Sequence, residues 1–167
     1  MKIRGDLAVR PVRNGRGLVA LRGFGRGATV CRIRGCIVSA DAVWGYWRSG
    51  NIRRGENCFR FDADRYLDPE GEIGAYANHA CDPNTGIVKD ARGLKLVAIR
   101  RVSAGEEITH DYSTLLGADD LWTMKCNCGA PACRRVVRNV SRLPEAVLRR
   151  YRRLGIIPAF ILATRNG

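Results

Sequence analysis

Short runs in which apolar and polar residues alternate fill the first two thirds of this 167-residue chain. The clearest, "LKLVAIR", lies in 94–101. Period-two alternation places every second side chain on one face of a strand. It predicts strands at 6–10, 18–21, 28–33, 36–39, 57–61, 86–89 and 94–101. Gly15, Gly17, Gly23, Gly25, Gly27 and Gly35 punctuate the start as turns. Residues 40–48 predict a helical turn, and 114–124 another. After Pro144 the period changes. Pro144 and Glu145 suit a first helical turn, Val147, Leu148, Tyr151 and Leu154 form one apolar face, and Gly155 suits the stop. Arg149, Arg150, Arg152 and Arg153 cover the opposite face. The expected class is mainly β with a C-terminal helix.

Composition agrees with a single folded unit: 46% hydrophobic, 27% charged, and nineteen glycines that favour turns over a bundle. No apolar run approaches a membrane span, and the N-terminus lacks the apolar stretch of a signal peptide. A cytoplasmic location is expected, or a host nucleus were the protein a secreted effector. The net charge of +13 is uneven. Residues 1–35 carry nine Lys/Arg against Asp6, and 134–167 carry nine Arg against Glu145, while the middle is mildly acidic. Basic ends suit weak contact with nucleic acid, or solubility alone. One acidic run, "DADRYLDPEGE" at 62–72, stands against the trend.

Seven cysteines, an odd number without a secretion signal, argue against a disulfide framework. Cys126, Cys128 and Cys133 form C-x-C-x4-C around a Gly and a Pro, a turn tight enough to offer three thiolates to one Zn²⁺. A closed tetrahedral site needs a fourth. Cys31, Cys36 and Cys58 lie in apolar, strand-like surroundings and are expected to be small core residues. Cys81 lies in the turn "NHACDPN" at 78–84 and is the expected fourth ligand of a structural zinc.

"NHACDPN", "GEEITHDYS" at 105–113 and "CNCGAPAC" at 126–133, following a glycine-rich turn at 15–30, resemble in order and spacing the SET-domain protein lysine methyltransferases with a post-SET zinc site. A dinucleotide-binding glycine loop is the rival reading of 15–27, but "LVAL" follows where a helix would start. The tail is similar to that of small stand-alone prokaryotic members. The resemblance implies a β-clip of small curved sheets with a C-terminal pseudoknot, a zinc-bound post-SET segment and a C-terminal helix. It implies a SET domain at 1–113, a zinc-binding segment at 114–135 and a basic helical extension at 136–167.

By the same resemblance, S-adenosylmethionine would be held by Arg16, Gly17, Asn78, His79 and Tyr112, with Tyr112 catalytic. A lysine in a basic protein or peptide would enter a channel near Phe59, Tyr66 and His110. His110 stands where many members carry another aromatic residue, and Ala77 where a larger apolar one is common. Asp64, Asp68 and Glu70 are expected to border the peptide groove and attract a basic tail. The alternatives are a zinc-stabilised basic nucleic-acid module and a non-catalytic peptide reader. The joint presence of Asn78, His79 and Tyr112 favours the enzyme.

Overall fold

The computed structural model describes residues 2–164. Its first strands are β1 (Lys2–Arg4), β2 (Leu7–Val12) and β3 (Gly15–Ala20). The β2–β3 hairpin closes in a two-residue turn and pairs Leu7 with Ala20 and Val9 with Leu18, so these four buried side chains share one face, while the Ala8–Val19 pair is buried on the other. Next come β4 (Thr29–Arg32), β5 (Cys36–Ser39), α1 (Ala40–Arg48), α2 (Ile52–Glu56), β6 (Phe59–Arg60) and β7 (Arg65–Asp68). Ser39 caps α1, its Oγ accepting from the Ala42 N–H at 3.2 Å. The central part adds β8 (Asn78–His79), β9 (Thr85–Asp90), β10 (Gly93–Ala98) and β11 (Glu107–His110). Last are β12 (Met124–Lys125), β13 (Val136–Val137), α3 (Glu145–Leu154) and α4 (Ala159–Ala163).

These strands form small sheets: β1-β2-β3-β11-β8, β4-β10-β9, β5-β7-β6 and the pair β12-β13. The main core joins the inner faces of the larger sheets through Leu18, Ile87, Leu96 and Ile108. A second core seats the C-terminal helices against the body, with Tyr151, Ile156 and Ile161 meeting Val140 and Ile99. No helix among the described residues is long and apolar enough to cross a membrane.

Alternation located most strands, and β10 buries Leu94, Leu96 and Ala98 as its pattern demands. The tail helix also forms, with Gly155 in the left-handed region at φ 65°, where glycine is favoured. Pro144 caps that helix from outside its first turn. Three expectations need correction. The strand at 57–61 shrinks to Phe59–Arg60 because the α2 cap takes Asn57 and Cys58. The expected helical turn at 114–124 reduces to a single tight turn at Tyr112–Leu115. Cys36 is exposed on the outer strand β5, while Cys31 packs against the core and Cys58 is half-buried.

Candidate active site

β11 lies between β3, which it pairs antiparallel, and β8, which it pairs parallel, with Thr109 opposite Asn78 and His110 opposite His79. Two asparagines of the 78–84 loop anchor it there. Asn84 is buried and locks the loop to β11, accepting from the Thr109 N–H at 2.9 Å and donating to the Glu107 carbonyl at 2.7 Å. Asn78 donates to Glu107 Oε1 at 2.8 Å and to the Arg16 carbonyl at 3.3 Å. Gly17 makes that contact feasible. A Cβ there would stand 2.5 Å from Glu107 Oε1 and 2.9 Å from Asn78 Nδ2. Arg16, Gly17 and Asn78 therefore meet along one polar edge.

His79 is buried, and burial pushes its pKa down to about 4, so the ring is neutral at ordinary pH. Its Nδ1 accepts from the Tyr112 N–H at 3.2 Å, which places the proton on Nε2, 3.3 Å from Cys81 Sγ. The imidazole is thus a spacer of fixed tautomer between the Tyr112 turn and a sulfur.

That sulfur belongs to a cluster in which Cys81, Cys126, Cys128 and Cys133 bring their Sγ atoms within 4.8 Å of one another. Sγ separations of 3.8 Å (81–126) and 3.6 Å (126–133) match the edge of about 3.8 Å expected for a tetrahedron with Zn–S bonds of ~2.3 Å. The surroundings favour thiolate. The Arg134 N–H points at Cys81 Sγ (3.3 Å), and the Cys81 N–H at Cys128 Sγ (3.5 Å). Burial raises the Cys128 thiol, but backbone N–H groups outweigh it and bring the pKa down to about 7. Burial pushes Cys126 up, so four sulfurs at this spacing need a cation to ionise together. The residues fit a metal ion.

Asp111 lies fully buried beside the cluster. Arg134 donates to both its oxygens at 2.7 Å, and the Tyr151 hydroxyl donates to Oδ2 at 2.9 Å. Asp111 Oδ1 also accepts from the Ser113 N–H at 3.1 Å, shaping the turn that carries Tyr112. One carboxylate therefore joins this turn, the cysteine loop and α3.

Tyr112 faces two ways. Its ring lines a cavity of about 410 Å³, together with Phe59, Tyr66 and His110. Its hydroxyl donates to the carbonyl of Ala77, the residue before Asn78, at 3.4 Å. Burial, with Glu107 nearby, pushes the phenol up to about 12, so it stays protonated. His110 is 2% exposed, stacks 6.0 Å from Phe59, lies tilted 4.8 Å from the Tyr112 ring, and leaves its Nδ1 without a hydrogen-bond partner among the described residues. Burial first, then His79, brings its pKa down to about 3.

The SET-domain family profile matches residues 15–113, more than half of the chain. The chain belongs to the SET-domain family. Its relatives include the "Histone-lysine N-methyltransferase trr" of Drosophila melanogaster, 39% identical over 88 residues, or 49% of this chain and 4% of that protein. The human "Histone-lysine N-methyltransferase 2B" is 30% identical over 134 residues, 75% of this chain and 5% of that protein. A Cryptococcus neoformans "Histone-lysine N-methyltransferase, H3 lysine-4 specific" is 34% identical over 134 residues, 75% of this chain and 9% of that protein. The matched region is thus under a tenth of each relative's length.

In the folded chain the motifs anticipated from sequence converge: Arg16, Gly17 and Asn78 on one edge, Tyr112 with Phe59, Tyr66 and His110 at the cavity, and four cysteines together. The acidic stretch does not join them. Asp68, expected at the groove, is 1% exposed and bound to Arg54 (2.7 Å) and the Tyr46 hydroxyl (2.9 Å). Glu70 is exposed but also paired with Arg54, and Asp64 is exposed away from the cavity lining. The carboxylates that do line the cavity are Glu56, Asp119 and Asp120, which sequence reading missed, as it missed Trp44, Trp47 and Trp122. The tryptophans themselves were the available signal. Asp111, Arg134 and Tyr151 sit beside recognised motifs, but only folding shows that they meet.

Proposed function

We propose that the chain is a protein lysine N-methyltransferase that uses S-adenosylmethionine and carries a structural zinc on Cys81, Cys126, Cys128 and Cys133. The observation that carries this reading is the double placement of Tyr112, whose ring faces the cavity and whose hydroxyl reaches the main chain leading into Asn78. Arg16, Gly17, Asn78 and His79 would hold the cofactor, which supplies an electrophilic methyl group. The relatives' names point to histone, and the substrate proposed is a lysine of a basic protein of that kind.

The residues then have defined work. A free lysine with a pKa of ~10.4 is neutral in only about one molecule in 2,500 at pH 7. Apolar cavity walls disfavour the ammonium and raise that fraction. Tyr112 stays a phenol, so it serves as a hydrogen-bonding post and not as the base. Its hydroxyl and the Ala77 carbonyl orient the amine for in-line attack, which requires reacting atoms about 3 Å apart. His79 and Asp111 hold the Tyr112 turn in place.

Labelled S-adenosylmethionine offered with a panel of basic proteins tests this, with mass spectrometry locating the modified residue. Label on lysine with the native chain, and its near-complete loss with a folded Tyr112→Phe variant that still binds cofactor, is the expected result. Equal labelling by both proteins removes Tyr112 from the chemistry.

A further inference from the structure

The cavity is larger and more apolar than one lysine requires. A space of about 150 Å³ accommodates a benzene ring. The ≈410 Å³ here leaves room for an unbranched lysine stem and a bulky neighbour. All three tryptophans of the chain, Trp44, Trp47 and Trp122, line it. Trp44 is 62% exposed and Leu121, also at the cavity, is 92% exposed. Large apolar groups so open at a cavity mouth lower the free energy once something apolar covers them.

The charges nearby argue against a basic tail as that cover. Asp119 receives two hydrogen bonds from Arg60, at 2.7 and 2.8 Å. Asp120 is held by Arg60 at 2.9 Å and by the Gly117 N–H at 2.8 Å. Glu56 accepts from the Trp122 indole at 3.3 Å. In the acidic stretch Asp62 pairs with Arg65, Asp68 and Glu70 with Arg54, and Glu72 with Arg4. Each of the three lining carboxylates already holds an internal partner, so the apolar groups and not the charges are left open at the cavity.

We infer that the target lysine has a large apolar neighbour, aromatic or branched aliphatic, which packs on Trp44, Trp47, Leu121 and Trp122 and selects the substrate. The inference rests on the methyltransferase reading and names the local sequence that the enzyme chooses within a basic protein. Aromatic anchors in a desolvated pocket carry most of the energy at such contacts, while exposed charge pairs carry little.

The test uses the intact chain and capped peptides with one lysine, in which the two residues on each side are Ala, Phe, Leu or Arg. Tryptophan fluorescence reads binding without catalysis, and labelled S-adenosylmethionine reads transfer. Burying one Phe or Leu side chain predicts about tenfold tighter binding than for the Ala peptide, and Trp44→Ala should reduce that ratio to about twofold. Trp44 is exposed on α1, so this variant should fold, and Leu121→Ser gives an independent second reading. Arg peptides binding as tightly as Phe peptides, with no change in Trp44→Ala, overturn the inference. So does concentration-dependent self-association that Trp44→Ala abolishes, since the occupant is then a second copy. Discrimination in binding without transfer to any peptide keeps the apolar contact and refutes the methyltransferase reading instead.

Discussion

Two walls meet at Tyr112, and they are built on opposite plans. On one side the polar groups are bonded to one another: His79 bridges the Tyr112 backbone and Cys81, and Asp111 gathers Arg134, Tyr151 and the Ser113 N–H. On the other side are Trp44 and Leu121, largely exposed, and His110 with a nitrogen that has no described partner. The first wall is closed on itself and so fixes geometry. The second has surface to offer and so can select what enters. On the proposed reading, positioning falls to the first wall and recognition to the second, and substitutions should separate them.

The largest effect is expected from breaking the closed wall at its four cysteines, the proposed zinc site. A structural zinc contributes on the order of 10 kcal/mol. Cys126→Ser should lower zinc from about one per chain to near zero by elemental analysis, and expose residues 116–139 to limited proteolysis. The tryptophan wall should survive in part, because Trp44 and Trp47 stand on α1 and not on the cysteine loop. A variant that keeps its zinc and its protection would show that three thiolates suffice.

Next in size is the buried ion pair. Arg134→Met strands a fully buried carboxylate at Asp111, which commonly costs about 3–5 kcal/mol. Arg4→Met breaks an Arg–Glu72 pair with both side chains well exposed and should cost under about 1 kcal/mol. Urea unfolding midpoints of the two variants measure the difference directly. Similar losses would mean that burial does not govern these pairs.

The contrast also marks what the sequence made legible. Local chemistry was readable: alternation in β10, the cap and stop of α3, and the Cys-x-Cys turn with its fourth cysteine at 81. Pairings set by long-range closure were not. The "DADRYLDPEGE" run reads as open acid, yet Asp68 folds inward because Arg54, fourteen residues upstream on α2, reaches it and Tyr46 completes its shell. In the same way "HDYS" displays Tyr112, while the neighbour that anchors it, Asp111, takes on meaning only when Arg134 and Tyr151 arrive from 23 and 40 residues away. β1, β7, β8, β11, β12 and β13 were missed for a related reason: each is short, and its strand partners define its extent.

A smaller effect tests whether α3 belongs to the closed wall. Burial, followed by Asp111, pushes the Tyr151 phenol up, so it remains a donor. Tyr151→Phe keeps the apolar ring and removes one hydrogen bond to a charged group, worth about 2 kcal/mol. The turnover number should fall while the peptide Michaelis constant changes little, since the cavity is untouched. A change in the Michaelis constant alone would instead connect α3 to recognition.

The effect that is smallest at neutral pH, and grows only in acid, concerns the open wall. His110 has its pKa lowered from 6.5 to about 3, first by burial and then by His79. Between those values the unfolded chain binds a proton at this site that the folded chain does not. Stability therefore falls as pH drops through 6.5, and continues to fall until the folded ring protonates near pH 3, with a slope of up to about 1.4 kcal/mol per pH unit. His110→Phe removes that proton and keeps an aromatic ring against Phe59 and Tyr112, and because Nδ1 has no described partner the substitution breaks no hydrogen bond there. Denaturation midpoints followed from pH 7 to about pH 4 should show a shallower acid limb for the variant. His79, the chain's other histidine, remains in both proteins. Parallel acid limbs would mean that His110 takes up its proton in the folded state. That requires water or a partner at Nδ1, and this wall would then be closed on itself like the other.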